Sequence, residues 1–417
     1  MPEDSLVNGS LRLEPTVKRN FAFLFAAGLL FWISITLLLP TLPAYIQDVG
    51  GTTQQVGLVM GCFAIGLLAS RTWLGQVADR RSRKLVILIG SLVAGTAPIG
   101  YMFTESIGGL AGMRAFHGIS IAAFTIGYSA LVVDFAPKEH RGKMIGYMNL
   151  AVPLGMGIGP ALGGYLQANT SYELLFGVSA VCGCSAWALS SQMQEVSPQD
   201  KHKQKSGLEK SRSFSELMAN SALLVPGIVL FMIGLVFGTL VAFLPLYVRE
   251  LGIEFNVGLF YTVVAIASFS VRIVMGRVSD RYGRGILITI SLFFYIISMF
   301  LLARADDSVT LLMAGFAEGT GAGILIPTVL ALISDRSYSN ERGRVYALCL
   351  GGFDVGIALA GPILGFMESY LSYQGVFYIA TVLAAIAFVI FITCGNQNLT
   401  RSLGFACGQE KDVFALD

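Results

Sequence analysis

The sequence predicts an all-α integral membrane protein with twelve transmembrane helices, arranged as two pseudo-symmetric bundles of six. Three observations lead to this prediction: the composition is strongly apolar, the apolar residues fall into long runs, and several motifs recur at a fixed spacing. Of the 417 residues, 54% are hydrophobic and only 13% are charged, whereas soluble domains carry about 25% charged residues. The net charge of +2 is too small to indicate a nucleic-acid partner.

The apolar runs are long enough to cross a bilayer, which takes about 20 residues per helix. A polar, charged stretch after the sixth run divides them into two sets of six. We expect the spans at approximately residues 20–45, 53–78, 85–104, 107–135, 141–168, 172–192, 221–248, 255–279, 285–303, 308–335, 341–368 and 372–395.

The predicted organisation follows from these spans. The N-terminal stretch is polar and carries acids, and the apolar run after it is too long for the core of a cleaved signal peptide. No role is assigned to the polar C-terminal stretch. We expect a cytoplasmic N-terminal tail (1–19), a first bundle (20–192), a cytoplasmic linker (193–220), a second bundle (221–395) and a cytoplasmic C-terminal tail (396–417).

Basic residues are concentrated in one set of loops. Lysine and arginine mark cytoplasmic loops, and most of the 28 in this chain lie in the tails or in the loops after even-numbered spans. The loops on the other side hold only Arg249 and Arg304. We therefore expect both termini to face the cytoplasm, in a cell membrane such as the bacterial plasma membrane.

The two halves share a set of glycines and charged residues. Two similar bundles inserted in the same orientation suggest a transporter whose halves rock around a site near the middle of the membrane. The recurring pairs, 201 positions apart, are Arg71 and Arg272, Gly75 and Gly276, Asp79 and Asp280, Arg80 and Arg281, Arg83 and Arg284, and Asp134 and Asp335.

These loops resemble the signature loop of the major facilitator superfamily of secondary transporters. In that family a glycine is followed by an acid four residues later, then an arginine and a basic cluster. The first copy here is Gly75, Asp79, Arg80, Arg83 and Lys84, with Ser82 where the family usually has glycine. The second copy is Gly276, Asp280, Arg281, Gly283 and Arg284, with Gly285 in place of the last basic residue. The resemblance covers about residues 20–395 and implies the twelve-helix fold of that family and transport by alternating access.

The resemblance also implies that both copies form a gate on the cytoplasmic side. Gly75 would let the second span approach the eleventh, and Asp79 would pair with Arg83, joined by Asp134. Arg71 and Arg272 are expected to reach lipid headgroups or to pair with acids. The alternative is that these charges only anchor the loops.

A glycine-rich segment in the fifth span, GMGIGPALGG, resembles a motif of the proton-antiporting exporters in the family. Gly155, Gly159 and Gly163 are four residues apart and line one helix face, which allows close helix packing. Pro160 is expected to bend the helix, and Gly164 completes the motif. Generic helix packing is the alternative interpretation. The eleventh span holds a partial copy: Gly352, Gly356, Gly361, Pro362 and Gly365.

Four ionisable residues inside the spans are candidates for proton coupling, because a charged group within the membrane is costly and is usually functional. Arg114, in the fourth span, matches a recurrent arginine of the family that is followed four residues later by glycine, and His117 lies one turn away. Glu318, in the tenth span, and Asp354, in the eleventh, are carboxyls that can take up a proton on one side and release it on the other. Alternatively, Arg114 binds backbone carbonyls, His117 only packs, and Asp354 is a structural acid.

The resemblance implies a central cavity lined by spans 1, 4, 7 and 10. Aromatic and hydroxyl residues of the spans are the candidates for substrate contact there: Trp32, Thr36, Tyr128, Phe243, Tyr247 and Phe316.

The sequence thus favours a secondary transporter that exports a small amphipathic molecule, such as a drug or siderophore-like metabolite, in exchange for protons. The alternatives are a proton-coupled uptake symporter for a sugar or organic acid, and a membrane receptor or scaffold that kept the fold and lost transport. No nucleotide-binding loop is present, so we expect neither an enzyme nor a cofactor. Six cysteines without a CxxC pair and three scattered histidines indicate no metal site. We expect a monomer whose partners are the substrate, protons and the bilayer.

Overall fold

The computed structural model describes residues 15–136, 141–194, 216–217, 220–338 and 341–416, with only the backbone for 141–143 and 274–281. These residues form the following helices: α1 (Pro15–Leu37), α2 (Leu42–Asp48), α3 (Thr53–Arg80), α4 (Arg83–Met102), α5 (Ile107–Phe135), α6 (Arg141–Met148), α7 (Ala151–Asn169), α8 (Tyr172–Ser191), α9 (Ser221–Leu251), α10 (Val257–Tyr282), α11 (Arg284–Ala303), α12 (Ser308–Asp335), α13 (Arg342–Cys394) and α14 (Leu399–Ala406).

The described helices confirm the predicted fold class. Ten helical segments are long and apolar enough to cross a membrane, and the first of them joins α1 and α2 through a short turn. α13 is 53 residues long, and Ser372, with φ of 60°, divides it into the eleventh and twelfth spans. The apolar part of α10 (Val257–Ile273) supplies the eighth, which completes two bundles of six.

The boundaries differ from the prediction in three places. α1 begins at Pro15, inside the predicted N-terminal tail, and residues 1–14 of that tail lie outside the described residues. The predicted fifth span is divided into α6 and α7 at residues 149–150. Most of the predicted linker, residues 195–215 and 218–219, also lies outside the described residues.

Several helices begin at a polar side chain that accepts a hydrogen bond from a free amide of the first turn. Thr52 and Gln55 form a capping box at the start of α3. Ser106 caps α5 and Asp307 caps α12, and the backbone amide of Thr310 holds the pKa of the Asp307 carboxyl below its usual value. Ser106 and Asp307 are 201 positions apart, so α5 and α12 start at equivalent points of the repeat.

The two copies of the repeated loop use different residues to start the next helix. Gly283 precedes α11 with φ of 86°, a conformation that residues with a side chain rarely adopt. Ser82, at the equivalent position of the first copy, has extended backbone and caps α4 by accepting from the amide of Leu85 at 3.0 Å. The serine that departs from the family pattern therefore starts its helix by side-chain capping.

The halves meet through α3 with α13 and through α7 with α10. A Cβ placed on Gly57 would overlap the backbone of Gly361, and one placed on Gly258 would overlap the carbonyl of Pro160. We call the membrane side of the loops after α3, α5, α10 and α12 the basic end, and the other side the opposite end. These glycine contacts lie toward the opposite end, so the halves touch there most closely.

The C-terminal tail folds against the basic end of the second half, which the sequence did not predict. Arg336, at the end of α12, is fully buried, and its Nε and Nη2 donate to the two Asp412 oxygens at 2.8 and 2.9 Å. Its Nη1 and Nη2 also donate to the carbonyls of Ala222 and Gly395. One arginine therefore connects the tail to α9, α12 and α13.

Candidate functional site

A cavity of about 330 Å³ lies between the two halves, and nine helices contribute to its wall. Most of the lining is apolar, which suits an organic ligand. The first half contributes Trp32, Ile35, Thr36, Leu39, Met60, Phe63, Ala64, Leu67, Arg114, Ile121, Val152, Pro153 and Met156. The second half contributes Phe237, Val241, Val264, Ala265, Ser268, Arg272, Tyr295, Glu318, Ala322, Ile326, Phe353, Asp354 and Ile357. The lining thus extends well beyond spans 1, 4, 7 and 10.

Arg114 is the charged residue of the first-half wall. It is only 4% exposed, and its guanidinium carbon lies 4.3 Å from the centre of the Phe63 ring, a cation–π contact. Its Nε and Nη1 have no hydrogen-bond partner among the described residues. Two of its donors are therefore buried and unsatisfied in this conformation.

Glu318 faces the same cavity from the second half. It is 2% exposed, and its Oε2 has no hydrogen-bond partner within the described part of the chain. Tyr295 and Arg272 line the cavity on the same side. Because α5 and α12 start at equivalent points, Glu318 occupies the position that His117 has in the first half.

His117 does not line the cavity. It is fully buried on α5, and its Nδ1 shares a hydrogen bond of 3.2 Å with the Tyr101 hydroxyl. The edge of the Phe63 ring lies against its imidazole, and Phe63 does line the cavity. His117 is therefore behind the cavity wall, close to Arg114 in sequence.

Asp354 forms an ion pair with Arg71 that joins the two halves. Arg71 lies on α3 and Asp354 on α13, and Asp354 also lines the cavity. The sequence left open whether this acid is structural, and the structure gives it a partner from the other half.

The six predicted contact residues separate into two groups. Trp32 and Thr36 line the cavity, and the Thr36 hydroxyl also donates to the Gly155 carbonyl at 2.9 Å. The other four lie elsewhere in this conformation. Tyr128 is buried and donates to the carbonyl of Met148, Phe243 and Tyr247 pack against residues of α13, and Phe316 is 57% exposed on the outer surface beside α11.

Several lining residues were not predicted, among them Phe63, Phe237, Tyr295 and Phe353. Each is an aromatic residue within an apolar helix. The residues around it in the sequence do not distinguish it from aromatic residues that face lipid. Arg272 carried the clearest signal, because it is the repeat equivalent of Arg71. The structure corrects its expected place, from the lipid headgroups to the cavity wall.

The two faces of α7 have different neighbours. A Cβ on Gly155, Gly159 or Gly163 would overlap α1, whereas Gly164 is packed against Asn256, just before α10 of the second half. Pro160 contacts Gly258 of α10. One face of the motif thus packs closely against α1 of the first half. The other face packs against the beginning of α10, in the second half.

Polar contacts close the cavity at the opposite end. Arg249 of α9 pairs with Asp48 of α2 at 2.6 Å, and the Tyr172 hydroxyl donates to the same carboxylate. Thr53 and Tyr373 share a hydrogen bond of 2.9 Å between α3 and α13. Each ion pair or bond joining the halves here would have to break for this end to open.

The predicted gate at the basic end is not assembled in this conformation. A Cβ on Gly75 would have no atom of the described residues within 4 Å, so the described part of α13 does not approach α3 there. Arg83 pairs with Asp134 inside the first half, and Arg284 with Asp335 inside the second. Asp79 and Arg80 are exposed. Gly276, Asp280 and Arg281 belong to the segment whose side chains are outside the described residues.

The family model of the Major Facilitator Superfamily matches residues 24–305 and, a second time, 254–402. The chain belongs to this superfamily. It is 27% identical to the multi-drug resistance efflux pump PmrA of Streptococcus pneumoniae, over 88% of this chain and 94% of that protein. It is 24% identical to the staphylopine export protein of Staphylococcus aureus, over 89% of this chain and 94% of that protein. Among solved structures, the nucleoside transporter NupG has the same fold, with a TM-score of 0.78 and 14% identity over 90% of this chain and 99% of that one.

These similarities identify the chain as a multi-pass membrane transporter, and the cavity between its halves is the candidate site for a small-molecule substrate.

Proposed function

We propose that this transporter exports a small amphipathic organic molecule in exchange for protons, by alternating access, with both termini in the cytoplasm. The observation that carries the proposal is Glu318, a buried carboxyl in the apolar cavity between the halves. The relatives named as efflux and export proteins and the antiporter-like glycine motif of α7 support the direction. One chain encloses the whole cavity, which suits a monomer in a plasma membrane.

Glu318 is the proton carrier in this proposal. A carboxyl in an apolar cavity is stable when neutral and becomes costly when ionised without a partner. A proton entering from the opposite end would neutralise Glu318, and a substrate arriving from the basic end would displace that proton. Arg114 couples the two events through its charge in the same cavity, and His117 with Tyr101 holds the wall behind it.

In this proposal, alternating access depends on contacts at the two ends that form and break in turn. The described conformation is closed at the opposite end by Asp48–Arg249 and by the glycine contacts of α3 and α10. The basic-end gate, with Gly75, Asp79, Arg83 and the second-copy residues, would assemble when the opposite end opens. The ion pair Arg71–Asp354 lies between these ends, where it can join α3 to α13 in both states.

Inverted membrane vesicles test the proposal. An inside-acid gradient is followed with a pH-sensitive dye while drugs, siderophores, sugars and organic acids are added in turn. We expect a compound that drains the gradient in the wild type and not in Glu318→Gln, while Glu105→Gln, which alters an exposed loop acid, behaves as the wild type. Uptake of a sugar or organic acid together with protons would instead support the symporter and contradict the proposal that the protein is an exporter.

A further inference from the structure

Two groups whose ionised forms carry opposite charges, Arg114 and Glu318, line one small cavity. Among the described residues, Arg114 has two buried nitrogens without a hydrogen-bond partner, and Glu318 has one such oxygen. Among the described cavity residues, only Asp354 forms an ion pair, and its partner is Arg71. Asp354 is therefore not the counter-ion of Arg114. A buried guanidinium without a counter-ion is strongly unfavourable, so Arg114 calls for an anionic group from the ligand.

The other charged groups of the cavity do not replace that anion. Arg272 lines the wall on the same side as Glu318, but it is a cation, as Arg114 is, and supplies no negative charge. The phenols of Tyr295 and Tyr261 are the titratable groups next to Glu318 on the packed helices. None of these offers Arg114 a carboxylate.

Proton exchange places a second demand on the ligand. Ligands that compete for one site exclude each other, whereas ligands that stabilise each other bind together. A purely anionic substrate next to Glu318 would favour the protonated carboxyl, so it would travel with the proton. A substrate with an amine would favour the ionised carboxylate and displace the proton, as exchange requires.

We propose that the substrate is an amphipathic zwitterion, with a carboxylate that pairs with Arg114, an amine that pairs with Glu318, and an apolar body against the aromatic wall. Arginine suits the first role because its planar donors bind carboxylates in bidentate fashion. This inference rests on the proposed function in taking the cavity as the transport site, and it specifies the class of substrate.

Three fluorescent probes with the same body separate the two charges. Nε-dansyl-lysine carries both groups, dansylcadaverine lacks the carboxylate, and 6-(dansylamino)hexanoate lacks the amine. Their binding is measured by dansyl fluorescence with the full chain in lipid nanodiscs, without any gradient. We expect the lysine derivative to bind at least about tenfold more tightly than either analogue, the factor that a charge-assisted hydrogen bond contributes.

The variants should remove one preference each. Arg114→Met is expected to abolish the advantage over dansylcadaverine and to keep the advantage over the hexanoate, and Glu318→Gln should do the reverse. Arg114→Lys should retain part of the first preference, which controls for folding. Arg304→Gln changes an exposed loop arginine outside the cavity and should leave both preferences within about twofold, because a distant, solvent-screened charge contributes little to binding.

Equal affinities for the three probes in the wild type would overturn the proposal, as would preferences that survive both cavity variants. The measurement uses no proton gradient, so it remains informative if proton exchange fails. Conversely, exchange of protons for a singly charged compound would support the proposed function. It would refute only the inference that the substrate is a zwitterion.

Discussion

Asp48 and Arg249 hold the two halves together at the opposite end through paired hydrogen bonds. Arg249 Nη1 donates to Asp48 Oδ1 at 2.6 Å and Nη2 to Oδ2 at 3.2 Å, while Tyr172 donates to Oδ2 at 2.6 Å. The side chains are 47% and 38% exposed. The pair is therefore specific in geometry and modest in energy, as expected for a contact that opens in the proposed transport cycle.

Arg249→Gln is expected to shift the protein toward opening at this end. A partly exposed ion pair contributes about 0.2–1 kcal/mol, so the open fraction should rise at most about fivefold. The readout is the labelling rate of a cysteine introduced at Ala44, a buried residue of α2 that lies in the same pocket as Asp48 and Arg249, in a version without the six native cysteines. The exchanged pair Asp48→Arg with Arg249→Asp should restore slow labelling, and about 1 M salt should reduce the difference. Labelling that is insensitive to both would remove the pair from the gate.

Gly361→Ala should disturb the same closure more strongly, because its Cβ would overlap the backbone of Gly57. We expect faster labelling at Ala44 and reduced transport. Gly75→Ala is the matched control, since a Cβ there meets no atom of the described residues in this conformation. It should leave labelling at Ala44 unchanged in this state, and slow transport only if α3 approaches α13 when the basic end closes. Similar effects of both alanines at Ala44 would contradict the structure.

The ion pair Arg71–Asp354 allows a test of structural against coupling roles. Arg71→Gln alone leaves a carboxylate without its partner in the cavity wall, and we expect it to lower transport at least about tenfold, by the cost of an unpaired buried charge. If the acid is structural, the doubly neutral variant Arg71→Gln with Asp354→Asn should regain much of the activity in a vesicle flux assay. Loss of proton coupling in the double variant, with substrate exchange intact, would show instead that Asp354 carries protons.

Asp412→Ala should destabilise the second half, because it removes the carboxylate that Arg336 contacts through two nitrogens. Loss of one partner of a buried ion pair costs about 3–5 kcal/mol, so the midpoint of thermal unfolding of the purified protein should fall by several degrees. Lys411→Ala, which changes a neighbouring exposed side chain, is the control. Equal midpoints for the two variants would mean that the tail contributes little to stability.

The spans and the glycine motifs were predictable because they depend on local composition and on helix periodicity. The same holds for Arg114, Glu318 and Asp354, since a charge within an apolar run is visible in the sequence. The pairs Asp48–Arg249 and Arg71–Asp354 were not predictable, because each joins residues of different halves. The aromatic wall was missed for a related reason: Phe63 in the cavity and Phe316 on the outer surface occupy equally apolar stretches, and only packing distinguishes them.

The role of Arg336 was also hidden from the sequence. It stands among other basic residues at a loop, where solvent exposure is the usual outcome. Its burial depends on Asp412, which is 76 residues away. A buried ion pair between residues so far apart in the chain, such as Arg336 and Asp412, has no signature in the local sequence.

Concentrative transport by Glu318→Gln is the most direct test of proton exchange. Proteoliposomes are given a compound that drained the gradient in the vesicle assay, and two quantities are compared: accumulation driven by a pH gradient, and exchange of labelled for unlabelled compound without a gradient. The account predicts that the variant, at a concentration of the compound that saturates it, keeps exchange within a few-fold of the wild type and loses gradient-driven accumulation. Accumulation by the variant equal to that of the wild type would contradict the assignment of Glu318 as the proton carrier.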